Sequence, residues 1–198
     1  MLSRLAQSPH GARWCYGQIA TSLIAIVMLL TGLGGCATQV SYEEIQPARL
    51  QPGAQWPAPE GDVVLSISGK SRLTQNGPLA SDIKGLEQLR VVQYSVPDPW
   101  LKRDVRYAGV LLSDLVAVLE PDDQATALYV KALDGYKAQI PLDEIERWSV
   151  LLATRADGAY MSVQSAGPTR IIFPYDRYPD LAQARNMSVW NIESIEIR

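Results

Sequence analysis

The stretch Gly167-Pro168-Thr169-Arg170-Ile171-Ile172-Phe173-Pro174 sets one cation into an otherwise apolar run. A guanidinium is costly to bury without an anion beside it. Arg170 therefore either pairs with an internal carboxylate, Asp176 being a nearby candidate, or faces a pocket that receives an anion. The run Tyr175-Asp176-Arg177-Tyr178 follows at once. It holds too many large side chains for a plain linker, and loops so built often wall a site. Asp143, Glu144 and Glu146 sit at helical spacing behind Pro141, where dipole complementation accounts for them without catalysis. Asp122-Asp123 reads as a solvated turn, and Ser162 and Ser165 have no base within sequence reach.

The rest of the reactive inventory is concentrated at the N-terminus. His10 is the only histidine, and the two cysteines are Cys15 and Cys36. Arg4 and Arg13 precede an apolar run from Ile19 to Leu33, the charged-then-apolar order of an export signal. Leu33-Gly34-Gly35-Cys36 has the form of a lipoprotein signal-peptidase site: an apolar residue, two small ones, then the cysteine that takes the lipid. Residues 1–35 are thus expected to be removed and Cys36 to become the acylated first residue. Some 15 apolar residues fall short of the roughly 20 that span a bilayer as a helix.

Cleavage there would leave a chain without histidine or free thiol. Ser-His-Asp and Cys-His nucleophilic sites, His-ligated zinc or iron and Cys-ligated clusters would all be excluded. Without Arg4 and Arg13 the 18 basic residues fall to 16 against 21 acidic ones, a net of −5. Nucleic acid is a poor partner for such a chain. The expected location is the periplasm, with attachment through lipid on Cys36. Residue 37 is Ala rather than Asp, which points to the outer membrane.

The elements that must position Arg170 and its neighbours begin after a Pro- and Gly-punctuated stretch, 36–61, read as a tether; its Trp56 could pack on the domain edge. The domain proper is 62–198. Leu65 and Ile67 alternate with serines as a half-buried strand, and Ser81-Asp82 starts a short helix. A strand covers Leu89–Val96, and 97–109 reads as a loop rich in Pro, charge and aromatics. A helix over Leu112–Glu120 is stopped by Pro121. Strands at 126–131 and 136–140 flank an Asp134-Gly135 hairpin turn. Pro141 opens another short helix. Strands at 150–154, 170–173 and 189–197 complete the set, with Asp157-Gly158 as a second hairpin turn. Ile192, Ile195 and Ile197 cannot share one period-two face, which predicts a bulge near Glu193-Ser194. The class is α+β, with a mixed, mostly antiparallel sheet and short helices.

From Leu65 onward the chain resembles the oxidoreductase molybdopterin-binding domain family, the sulfite-oxidase-like fold. The pieces that carry the resemblance, in order, are Leu65–Gly69; Tyr107-Ala108-Gly109-Val110-Leu111-Leu112 with Ser113-Asp114-Leu115; Leu133–Tyr136 with Ile140–Leu142; Leu151–Ala153 with Asp157-Gly158; Gly167–Pro174; and Ser188–Trp190 with Ile195–Ile197. The resemblance implies a pocket walled by the loop bearing Ser95 and Trp100, by Tyr136, Arg170, Tyr175 and Asp176, and by Ser188 and Trp190. It also implies a molybdenum-binding cysteine in the loop before the Gly-Val-x-Leu helix, but Ser95-Val96-Pro97-Asp98-Pro99-Trp100 has none. The Ser-x-Lys-Trp pattern, whose lysine helps hold the cofactor phosphate, stands here as Ser188-Val189-Trp190 without lysine. The histidine- and asparagine-bearing N-terminal segment that contacts the pterin is replaced by the Pro-rich stretch.

No catalytic residue, metal or cofactor is therefore expected, with molybdopterin as the alternative. The reading is a non-catalytic module that binds a small anionic or planar ligand or a periplasmic protein partner. Its alternatives are a molybdopterin-dependent oxidoreductase component with an atypical or shared site, and a structural envelope lipoprotein.

Overall fold

The computed structural model describes residues 40–198, so the expected signal segment, 1–35, and Cys36 lie outside the described residues. The elements in chain order are β1 (Glu43–Gln46), β2 (Leu65–Gly69), β3 (Leu79–Ser81), α1 (Ile83–Leu86), β4 (Val91–Asp98), β5 (Arg103–Leu111), α2 (Leu112–Leu119), β6 (Ala127–Ala132), β7 (Lys137–Pro141), α3 (Leu142–Arg147), β8 (Leu151–Ala156), β9 (Ala159–Tyr160), β10 (Arg170–Ile172), α4 (Leu181–Met187) and β11 (Ile192–Ile197). They form an α+β domain with two sheets. One runs β1-β4-β5-β8-β10 with β9 paired to β8, and the other runs β3-β2-β11-β6-β7. Only the β2–β11 pairing is parallel among those described.

Both sheets and α2 feed one buried cluster, with Val91, Val110, Leu152 and Ile171 from the first sheet, Leu65, Ile67, Leu128, Ile140 and Ile195 from the second, and Leu112, Leu115 and Leu119 from the helix. The alternation read in Leu65–Gly69 is the reason for this inward face. The shift expected near Glu193-Ser194 is present, since the β11–β6 register slips between Ile192 and Ser194. Asp82 caps α1 by accepting from Gly85 N at 2.7 Å. Its other oxygen accepts from Glu60 N and Gly61 N, fastening the incoming chain to the helix. Burial disfavours its charge, but these backbone donors outweigh that and hold the carboxyl below the usual range.

Two expectations are corrected, and one element is new. The tether reading fails for the described part of 36–61: β1 pairs antiparallel with β4, Val40 and Leu50 are buried, and Trp56 packs against the core. Edge pairing joins residues some fifty positions apart, so local composition does not reveal it. The loop read at 97–109 shrinks to residues 99–102, because β4 and β5 form a long hairpin with Tyr94 opposite Tyr107 and Val96 opposite Val105. Asp104 and Arg106 face outward between inward Val105 and Tyr107, a strand alternation that reads as a charged loop. Helix α4 was not anticipated; Asp180 caps it by accepting from Gln183 N.

Gly109 sits where the β5–β8 register shifts. A Cβ there would lie 2.2 Å from Leu152 O and 2.7 Å from Ala153 Cα. Neither is a side chain that can swing away. Gly109→Ala should therefore cost about 1–3 kcal/mol of stability, read as a lower urea midpoint at unchanged slope; an unchanged midpoint would refute the close approach.

Candidate functional site

The β4–β5 hairpin, the start of β10 and the segment after α4 bring Asp98, Trp100, Tyr107, Arg170 and Trp190 together. Strand alternation puts Tyr94, Val96 and Asp98 on the inner face of β4, so the last inward position is an acid. Asp98 is 2% exposed. One of its oxygens, Oδ1, accepts from Trp100 N (2.9 Å) and Leu101 N (2.8 Å), closing the turn. Oδ2 accepts from Tyr107 Oη (2.7 Å) and Arg170 Nη2 (2.9 Å). Arg170 Nη1 also donates to Tyr107 Oη at 2.8 Å. Burial disfavours the Asp98 charge, yet the Leu101 amide, the Tyr107 hydroxyl, the Arg170 charge and the Trp100 amide together hold its carboxyl below the usual range. Burial, with the bond to Asp98, pushes the Tyr107 hydroxyl well up, so it stays a donor.

Around this pair stand aromatic rings. The Arg170 guanidinium lies 4.7 Å from the Trp190 ring centroid, 5.2 Å from Trp100 and 5.4 Å from Tyr107. Trp100 meets Trp190 edge-on at 5.1 Å and Tyr175 edge-on at 5.8 Å. Tyr175 and Ser188 share a buried hydrogen bond of 2.9 Å, and Ser188 Oγ also bonds Ala184 O. A cleft of about 460 Å³ opens here, with Trp100, Tyr107, Tyr160, Met161, Arg170 and Trp190 in its wall. That volume is in the range of small-molecule sites.

The expected site residues divide accordingly. Trp100, Arg170, Tyr175, Ser188 and Trp190 converge. Three others do not. Ser95 is exposed on the outer face of β4, beside Arg106 and Asp157. Tyr136 is exposed and donates to Asn186 O, tying the β6–β7 turn to the end of α4. Asp176 is exposed beside Arg177 rather than Arg170, so the anion partner of Arg170 is Asp98. Sequence reading missed Asp98, Tyr107 and Tyr160. For the first two, the period-two continuation of each hairpin strand was the available signal.

Residues 84–176 match the family model described as the oxidoreductase molybdopterin binding domain. Among solved structures, the chain is similar to the sulfane dehydrogenase SoxCD from Paracoccus pantotrophus, with a TM-score of 0.53 at 19% identity. The match covers 67% of this chain and 37% of that one, so the chain spans little more than a third of that structure's length. No curated protein matches the chain. The described chain has the sulfite-oxidase-like molybdopterin-binding fold, and its stretch 84–176 is similar to the oxidoreductase molybdopterin-binding domain.

The donor set here does not fit a thiolate-ligated molybdenum. Residues 40–198 contain neither cysteine nor histidine, and among the described residues no group of three or more His, Cys, Asp or Glu is placed to hold a metal ion. The turn that would supply the thiolate carries Asp98 instead, a hard oxygen ligand already committed to four donors.

Proposed function

We propose that this protein is a periplasmic lipoprotein, anchored through Cys36, whose molybdopterin-binding-type domain acts as a non-catalytic module that binds a small ligand in the Trp100–Trp190 cleft. The observation that carries the reading is the cleft itself: it keeps the size and aromatic walls of a ligand site, while its acid and its buried cation are bound to each other. A redox role would need a soft ligand and a group to hold a cofactor phosphate, and neither is supplied by these residues. The anchoring half rests on Leu33-Gly34-Gly35-Cys36 behind an apolar run. No helix among the described residues is long and apolar enough to cross a membrane.

Two measurements test the halves separately. Cys36→Ser removes the sulfur that forms the thioether, so the precursor should stay unprocessed and unlipidated; unchanged size and detergent partitioning would remove the anchoring half. Protein purified from its native envelope should contain far less than one molybdenum per chain by elemental analysis. A value near one would replace the binding reading with a redox one.

A further inference from the structure

We infer that the cleft selects an uncharged, planar ring system with a hydrogen-bond acceptor on its edge, and discriminates against anions; this rests on the ligand-binding reading above. The charges that line the cleft each have an opposite partner. Arg170 is closed onto Asp98 at 2.9 Å with both side chains at 5% exposure or less. At the rim, Arg103 is paired with Asp157 at 2.9 Å. Arg185 stacks on Trp100 at 5.5 Å but does not line the cleft. An entering anion would meet a guanidinium whose charge is already offset by a carboxylate that two backbone amides and a tyrosine hydroxyl fix in place. It would be desolvated without an uncompensated counter-charge, which is the costly outcome.

The neutral features point the other way. Trp100 and Trp190 stand perpendicular to each other, and such aromatic walls favour edge-to-face and offset-stacked rings. Tyr160 stands in the wall with 59% exposure, yet it is not loose. Its hydroxyl is bonded to Glu87 at 2.9 Å, and the Arg155 guanidinium lies over the ring at 4.6 Å. It is a preformed stacking platform. Two buried donors beside the cleft, Arg170 Nε and Trp190 Nε1, have no partner. Unmet buried donors are unfavourable, and a ring nitrogen or carbonyl oxygen that reached either one would satisfy it.

The test compares a matched pair of probes on the full-length, detergent-solubilised protein: quinoxaline, which is planar and uncharged with two ring nitrogens, and quinoxaline-2-carboxylate. Titrations followed by tryptophan fluorescence and calorimetry should show saturable quinoxaline binding, with the carboxylate at least about tenfold weaker. Trp190→Leu should weaken quinoxaline binding by about fivefold or more. Tyr160→Leu, at a more exposed position, should weaken it in the same direction and keeps the test alive if the first variant fails to fold. Equal or tighter binding of the carboxylate would overturn the inference while leaving the ligand-binding reading standing. Quinoxaline binding that neither variant changes would place the probe elsewhere and also overturn it. Saturation by neither probe would overturn the inference and remove the main support for ligand binding at this cleft.

Discussion

Asp98→Ala is expected to lower the unfolding free energy by about 3–5 kcal/mol, the usual result of breaking a buried ion pair from one side. The substitution deletes the acceptor for Trp100 N, Leu101 N, Tyr107 Oη and Arg170 Nη2 together. It leaves a guanidinium 4% exposed with no anion. Asp98→Asn keeps the volume and one acceptor oxygen for the turn, so it should lose less. Urea unfolding of the three proteins checks the order. A loss below about 1 kcal/mol for Asp98→Ala would mean that water reaches the pair.

The same carboxylate gives a pH signature. Its folded pKa lies below the ordinary value, so the folded state binds fewer protons than the unfolded chain near that value. The stabilisation is present above about pH 3.9 and is lost as pH falls through the lower, folded pKa. Asp98→Asn has no proton to bind there, so its unfolding free energy should fall less steeply over that window than the parent's. Identical acid limbs in the two proteins would show that Asp98 is not the group responsible.

Why Asp98 escaped a reading of the sequence is a matter of where β4 stops. Pro97 looks like a strand end, because proline cannot donate to a ladder. In the fold, β1 pairs with β4 only as far as Gln93, so Pro97 lies beyond that neighbour, where a missing N–H costs nothing on that side. The strand runs on to residue 98, and an apparent loop acid becomes a buried one. The other failures share this non-local cause. The partner of Arg170 lies 72 residues away, and the edge strand at 43–46 exists only because β4 is there to receive it.

What was legible was local. Alternation at Leu65–Gly69, the Asp134-Gly135 turn, the acidic first turn of α3 and the mismatch of Ile192 with Ile195 and Ile197 all leave marks within a few residues. Arg170 was also legible, since a lone cation in an apolar run demands an explanation wherever it folds. Its meaning was not, because exposure and pairing are decided by the hairpin that arrives from elsewhere.

Arg170→Met should cost less than Asp98→Ala, about 1.5–3 kcal/mol, because the acid it abandons still accepts from two backbone amides and the Tyr107 hydroxyl. Removing both charges tests the coupling directly. Asp98→Ala combined with Arg170→Met leaves no buried ion, yet the turn amides and Tyr107 Oη remain unmet, so the double variant should not return fully to the parent's stability. It should still be more stable than the sum of the two single losses predicts, by about 1–3 kcal/mol. Without the guanidinium the Asp98 carboxyl is also harder to ionise, so its folded pKa moves up toward the unfolded value and Arg170→Met should flatten the acid limb much as Asp98→Asn does. Additive losses within about 0.5 kcal/mol would instead mean that Asp98 serves the turn alone. In that case Arg170 would be free to meet an anion, and the preference of the cleft for uncharged ligands would lose its electrostatic basis.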